Sequence, residues 1–255
     1  MAIAYDEASR IVRKPAHDIV KTSKGGGTNT KFFDFRDAPD MPHASLNQHD
    51  QGYYNGTHFH VVDQFQVVVD GEGTLGRHQL SPYVVHFTRA YTPYGPLLSN
   101  ASNGLTFFAL RAHRDRGPQS IPKEMDQLKR VANRRPWQRS THVTLPALPS
   151  NASKGQFILD VIPEIKDDYG LAAYALSAMP DSMVWTPDPA QGDGQYLVAV
   201  KGSLVVQDKE YKARALVFIR PQDGSLQLRA GSDGLEALIV NFPRSRSEAV
   251  SSAVS

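Results

Sequence analysis

Two histidines one residue apart, His58 and His60, open the stretch of this chain with the most chemistry in it. In an extended strand, residues i and i+2 point to one face, so the two imidazoles project together. Gln64 and Gln66 follow on the same side, ahead of a turn at Gly71-Glu72-Gly73. Imidazole nitrogens joined by an amide oxygen are donors that suit a divalent cation. The pattern therefore predicts a metal pocket at His58, His60 and Gln64, with Gln66 as a contact to substrate. The plainer alternative is a pair of strand histidines kept for hydrogen bonding. Two other histidines compete as a third donor: His86, on the strand-like run 83–88, and His49, on the segment that enters the stretch. Arg89, Tyr91 and Tyr94 cluster in the following Pro/Gly turn. A tyrosine hydroxyl can supply a proton or a hydrogen bond, and an arginine can clamp a carboxylate. Tyr94, Arg89 and Gln66 are thus the candidate catalytic contacts, with packing of the turn as the competing role.

The elements that must position these groups read as strands. Residues 64–70, 83–88 and 105–111 are rich in Val, Phe and Leu and are separated by Gly/Pro turns, the pattern of an all-β sandwich or barrel. The pattern occurs twice. Gln64–Gly71 aligns with residues 195–202, residues 85–87 with 216–218, and 104–108 with 234–238, in order and at nearly one offset. That is the mark of an internal duplication. In the second copy Pro189 and Gln191 stand at the positions of His58 and His60, and residues 143–255 contain no histidine, so a histidine-held metal is expected only in the first.

The segment from Gly56 to Gly71 resembles the first motif of the cupin family: Gly, His-x-His, three or four residues, Glu, then a hydrophobic strand ending in Gly. Gly71 lies seven residues after Gln64, the family's spacing between its Glu and its turn glycine, so Gln64 stands at the Glu position. The family's second motif, Pro-x-Gly-x-x-His-x-x-x-Asn, is echoed by Pro93-Tyr94-Gly95-Pro96-Leu97-Leu98, with Leu98 in place of the third histidine. The resemblance implies two tandem cupin-like jelly-roll β-barrels, a bicupin. Its parts are an N-terminal arm and approach over 1–50, a first barrel over 51–117, a helical linker over 118–150, a ligand-less second barrel over 151–243 and a flexible tail over 244–255. Within the linker, residues 122–133 carry Pro at the first turn and apolar Met125, Leu128, Val131 and Ala132 at helical spacing.

The resemblance also implies dioxygenation, isomerisation or lyase chemistry on a small oxygenated or carboxylated molecule. Imidazole ligation with open positions suits iron, which puts a dioxygenase first, and Fe ahead of Mn, Ni or Zn. An amide in place of a carboxylate leaves such an ion less compensated and favours an anionic substrate. The alternatives are an isomerase or lyase using Tyr94 as a proton shuttle, and a non-catalytic small-molecule-binding or structural bicupin.

Composition narrows the rest. The 255 residues include no cysteine, which excludes disulfides and thiolate metal sites. A net charge of +2 without a basic tract argues against a nucleic-acid partner. The cluster Lys129, Arg130, Arg134 and Arg135 reads as a solvated face. No apolar run approaches the ~18 residues of a membrane span, and the N-terminus lacks a signal-peptide pattern, so a cytoplasmic protein is expected. Edge strands that need covering favour a homodimer. Neither a phosphate-binding Gly-rich loop nor Gly-x-Ser-x-Gly is present.

Overall fold

The computed structural model describes residues 11–12, 19–21, 26–34, 40–206 and 209–244. The arm over 1–30 and the Ser-rich tail lie mostly outside these residues. The chain divides into two compact units: Lys14–His142 forms one, and Met1–Arg13 joins Val143–Ser255 in the other.

The second unit opens with β1 (Ile11–Val12). The first unit then runs through β2 (Ile19–Lys21), β3 (Gly27–Asp34), β4 (His43–His49), β5 (Tyr54–Asn55), β6 (His58–Phe59) and β7 (Gln64–Gly71). It continues with β8 (Gly73–Leu75), β9 (His78–Leu80), β10 (Val84–Thr88), β11 (Leu97–Ser99), β12 (Leu105–Arg111), β13 (Gln119–Ser120), helix α1 (Met125–Arg130) and β14 (Gln138–His142). Its large sheet has seven strands in the order β14-β10-β7-β12-β4-β3-β2, and a second sheet has the order β5-β11-β8-β9. Between these sheets pack Val68 of β7 and Leu105, Phe107 and Ala109 of β12, against Leu75, Leu80 and Leu97 of the smaller sheet. The arrangement is a jelly-roll sandwich.

The second unit continues with β15 (Phe157–Lys166), β16 (Ala172–Ala178), β17 (Met183–Trp185), β18 (Gln195–Val206), β19 (Lys209–Lys212), β20 (Leu216–Ile219) and β21 (Gln227–Asn241). Its main path, β1-β20-β18-β21-β16-β15, repeats β14-β10-β7-β12-β4-β3 strand for strand. The duplication read from the sequence is therefore a duplication of topology. Its turn glycines repeat as well. Gly71 and Gly202 both have φ of 70°, and a Cβ on either would lie 2.4 or 2.2 Å from the carbonyl oxygen of Gly104 or Gly234. Only glycine combines that left-handed conformation with so close a backbone approach.

Three sequence expectations need revision. Residues 43–49, within the segment 37–55 that reads as an irregular approach, supply β4 of the large sheet, and β3 begins at Gly27, ahead of the short strand that residues 31–36 suggest. They lack the hydrophobic alternation of a half-buried strand because the positions that face inward, from Asn29 and Lys31 to Ser45 and Asn47, line a polar cavity. The linker is not wholly helical: β13 pairs with β6, and β14 pairs with β10 along its whole length. Helix α1 has six residues, and Val131 ends it with extended backbone. Of the apolar set that suggested a longer helix, only Leu128 is buried. One anchored side chain on so short a segment gives little to propagate a helix. Lys129, Arg130, Arg134 and Arg135 are exposed, in keeping with a solvated face.

Candidate active site

Inside the first unit lies a cavity of about 370 Å³, lined by inward residues of four adjacent strands. From β3 come Asn29 and Lys31, from β4 His43, Ser45, Asn47 and His49, from β7 Gln64 and Gln66, and from β12 Phe107, Ala109 and Arg111. Each set steps by two along its strand, as side chains on one face must. Asn55, His58, His60, Tyr94, Leu97 and the segment Arg114–Pro118 complete the wall.

His58 and His60 project together, as their spacing predicts. Their ring centroids are 5.4 Å apart, with planes at 87°. Phe59 between them turns the other way and packs on Tyr91. His58 is anchored twice: its backbone exchanges two hydrogen bonds with that of Tyr94, and its Nδ1–H donates to the Gly56 carbonyl at 2.8 Å. A carbonyl only accepts, so Nε2 carries the lone pair of His58. The Tyr94 hydroxyl, 3.1 Å away, donates to that lone pair. The same hydroxyl accepts from Gln64 Nε2 at 2.6 Å, and Gln64 Oε1 in turn accepts from the guanidinium of Arg111. The chain of donors is thus fixed in direction from Arg111 to Gly56.

His60 is held by a second carboxylate-centred cluster. Its Nδ1 lies 2.5 Å from Asp115 Oδ2, an oxygen that also accepts from the Gly117 backbone at 3.0 Å and lies 3.4 Å from Arg111 Nε. Burial, reinforced by the charge of Arg111, lowers the His60 pKa to about 4 against the opposing pull of Asp115. Burial also works against the charge of Asp115, but the hydrogen bond from His60 and the guanidinium of Arg111 outweigh it and hold the carboxyl below its ordinary value. The pair is therefore a neutral imidazole donating through Nδ1 to a carboxylate. Burial likewise lowers the pKa of His58 and raises that of Tyr94, so both are neutral near pH 7.

The remaining candidates separate. Gln66 is buried and lines the cavity. His49 lines it too; its ring packs on Tyr53 and Phe107, and burial lowers its pKa to about 4. His86 shares the inner face with its register partner Gln66 but does not reach the cavity. Its Nδ1 bonds Ser140 Oγ at 2.7 Å and its Nε2 bonds Thr88 Oγ1 at 2.6 Å, so neither ring nitrogen is left as a donor to a metal. Arg89 is also absent from the cavity wall. Its guanidinium lies over the Trp137 ring at 5.7 Å, in keeping with the packing alternative for that turn. Leu98, at the register of the third motif histidine, is 43 % exposed, while its neighbour Leu97 faces the cavity.

Arg111, Asp115, Lys31 and His43 were not among the sequence candidates. Alternation along 105–111 and 31–36 turns Arg111 and Lys31 to the inner face, and the same step along 43–49 would have turned His43 inward had that segment been recognised as a strand. Nothing local marks Asp115, which reaches His60 across 55 residues of chain.

The donor set does not fit a divalent ion as it stands. Among the described residues no group of three His, Cys, Asp or Glu side chains is placed to hold a metal ion. The Tyr94 hydroxyl occupies the lone pair of His58, and the oxygen of Gln64 faces a guanidinium. A doubly charged ion about 5 Å from that guanidinium would be repelled by it by several kcal/mol at an effective dielectric near 20, before the opposing pull of Asp115 is counted. In the second unit, Gln195 occupies the position of Gln64, and its register partner Asn241 occupies that of Arg111. Neither Gln195 Oε1 nor Asn241 Oδ1 has a hydrogen-bond partner among the described residues.

No protein-family model matches the chain, and no curated protein matches it. Solved structures do. The pirin YhhW from Escherichia coli, in complex with nickel(II), is 12% identical, with a TM-score of 0.59 over 92% of this chain and 100% of that one. Oxalate decarboxylase from Bacillus subtilis, which has Mn(II) centres, is 10% identical, with a TM-score of 0.58 over 90% and 76%. The coconut allergen cocosin is 12% identical, with a TM-score of 0.61 over 89% and 84%. Each similarity takes in both units, and the fold they share with this chain is the doubled cupin fold.

Proposed function

We propose that this cupin-fold protein is an enzyme whose first unit binds a small carboxylated molecule and moves a proton on it, in the manner of an isomerase or lyase. The observation that carries the reading is the charge of the cavity wall. Lys31, Arg111, Arg114 and Arg116 line it, and the one carboxylate among the described lining residues, Asp115, is already engaged by His60 and Arg111. A pocket of that sign concentrates anions. Of about 370 Å³, it suits a small one. His60, whose Nδ1–H is given to Asp115, offers Nε2 as a base, and Tyr94 offers a hydroxyl held by Gln64. The fold neighbour that decarboxylates oxalate supports a carboxylate substrate. A calorimetric screen of small mono- and dicarboxylates against the full chain tests the reading. One-to-one binding that weakens about tenfold or more in Lys31→Met, with solvent deuterium entering the ligand only when Tyr94 and His60 are intact, is expected. A screen without a binding carboxylate would overturn it.

A second reading is a metal-dependent dioxygenase. It is favoured by the way both imidazoles are anchored through Nδ1, on Gly56 and Asp115, as metal-bound histidines are. Fold neighbours with nickel or manganese support a divalent ion, and iron would give oxygen chemistry. Stoichiometric iron in the purified protein together with oxygen uptake would establish it. Either enzyme is read as cytoplasmic and homodimeric, which fractionation and light scattering test. No helix among the described residues is long and apolar enough to cross a membrane.

A further inference from the structure

We propose that Arg111 supplies the positive charge of this site, standing against the amide oxygen that would otherwise meet a metal ion, and that its presence keeps divalent ions out of the His58, His60 and Gln64 cluster. The inference rests on the cavity being a pocket for an anion, and it names the group that meets that anion's charge.

Three observations converge on it. Arg111 ends β12 directly after Leu110, the register partner of Phe65, which sets it beside Gln64; on its other side it pairs with His43 of β4. From there the guanidinium donates to Gln64 Oε1 and lies beside Asp115 Oδ2. The amide oxygen that would meet an ion therefore already meets a fixed charge, buried and provided with its own counter-ion. Second, the Tyr94 hydroxyl bonds both His58 Nε2 and Gln64 Nε2, so the guanidinium that orients the Gln64 amide also holds that hydroxyl between the two side chains.

The third observation comes from the duplicate. The second unit keeps the glutamine, as buried Gln195, and places neutral Asn241 opposite it. That unit has no histidine. The arginine thus occurs in the copy that carries the imidazoles and is missing from the copy that does not. A residue needed only to complete a β-sandwich core would have no reason to follow the histidines.

The test uses the full chain, stripped with a chelator and then titrated with Ni²⁺ and Mn²⁺ alone, with bound metal counted after dialysis. Wild type is expected to retain neither. Arg111→Gln, which removes the charge and frees Gln64 Oε1, is expected to bind one Ni²⁺ about a hundredfold or more tighter than wild type, and to lose it again when His58→Ala is added. Should Arg111→Gln fail to fold, as judged by circular dichroism, Arg111→Gln/Asp115→Asn removes both charges together and is read the same way. One equivalent of metal in wild type, lost in His58→Ala, overturns the proposal. So does a folded Arg111 variant that binds no Ni²⁺. Failure of every carboxylate to bind would remove the anion-pocket reading while leaving these metal counts unchanged, so the two can fail separately.

Discussion

His86 offers a sharp test of where this site ends. Its ring is 1 % exposed, sealed between Ser140 and Thr88, and burial lowers its pKa from 6.5 to about 3. A histidine held neutral in the folded protein takes up its proton only on unfolding. Its stabilising contribution is therefore complete above about pH 6.5 and is lost as pH falls toward 3, at about 1.4 kcal/mol per unit. Between pH 6 and 4 this amounts to roughly 2.5 kcal/mol for His86 alone. His86→Asn keeps one hydrogen-bonding edge and cannot titrate. At pH 7 it is expected to cost about 1–3 kcal/mol, for the bond it no longer makes. The assay is urea unfolding at pH 6, 5 and 4, followed by the fluorescence of Trp137, which packs on Phe87 in the same unit. A Trp185→Phe background removes the other tryptophan, which is half exposed and lies in the second unit. His49 and His60, both with pKa near 4, also destabilise in acid but do so equally in both proteins. The stability gap between wild type and variant should therefore shrink by about 2.5 kcal/mol from pH 6 to 4. Two parallel lines over that range would refute the assignment of His86 as a sealed, neutral group.

Other outcomes follow from the same geometry. Asp115→Asn leaves Arg111 buried without its counter-ion and should destabilise the first unit by about 3–5 kcal/mol, measured by the same urea titration; a change under about 0.5 kcal/mol would mean that the pair is solvated. Gly71→Ala and Gly202→Ala each force a Cβ onto a backbone oxygen less than 2.5 Å away, and each should lower the melting temperature of its own unit, by about 3–5 °C for every kcal/mol lost. Phe87→Ala removes the buried ring between Phe65 and Trp137 and should cost about 3–5 kcal/mol, with a red shift of Trp137 emission.

The doubled all-β architecture was legible along the chain because strand alternation and turn glycines are local signals, and here they occur twice at nearly one offset. The pairing of His58 with His60 was legible for the same reason, since a two-residue step fixes the side of a strand. Strand β4 and the start of β3 were not legible because alternation is conspicuous only when the inward face is apolar, and theirs lines a polar cavity. The partners of the imidazoles were beyond local reading altogether. Register between β7 and β12 puts Arg111 beside Gln64, register between β10 and β14 gives His86 to Ser140, and the chain's return after β12 brings Asp115 to His60. What each side chain could do was written in its residue type and spacing. Which lone pairs remained available was decided by non-local strand pairing, because a hydrogen bond across a sheet depends on which strand lies alongside and in what register.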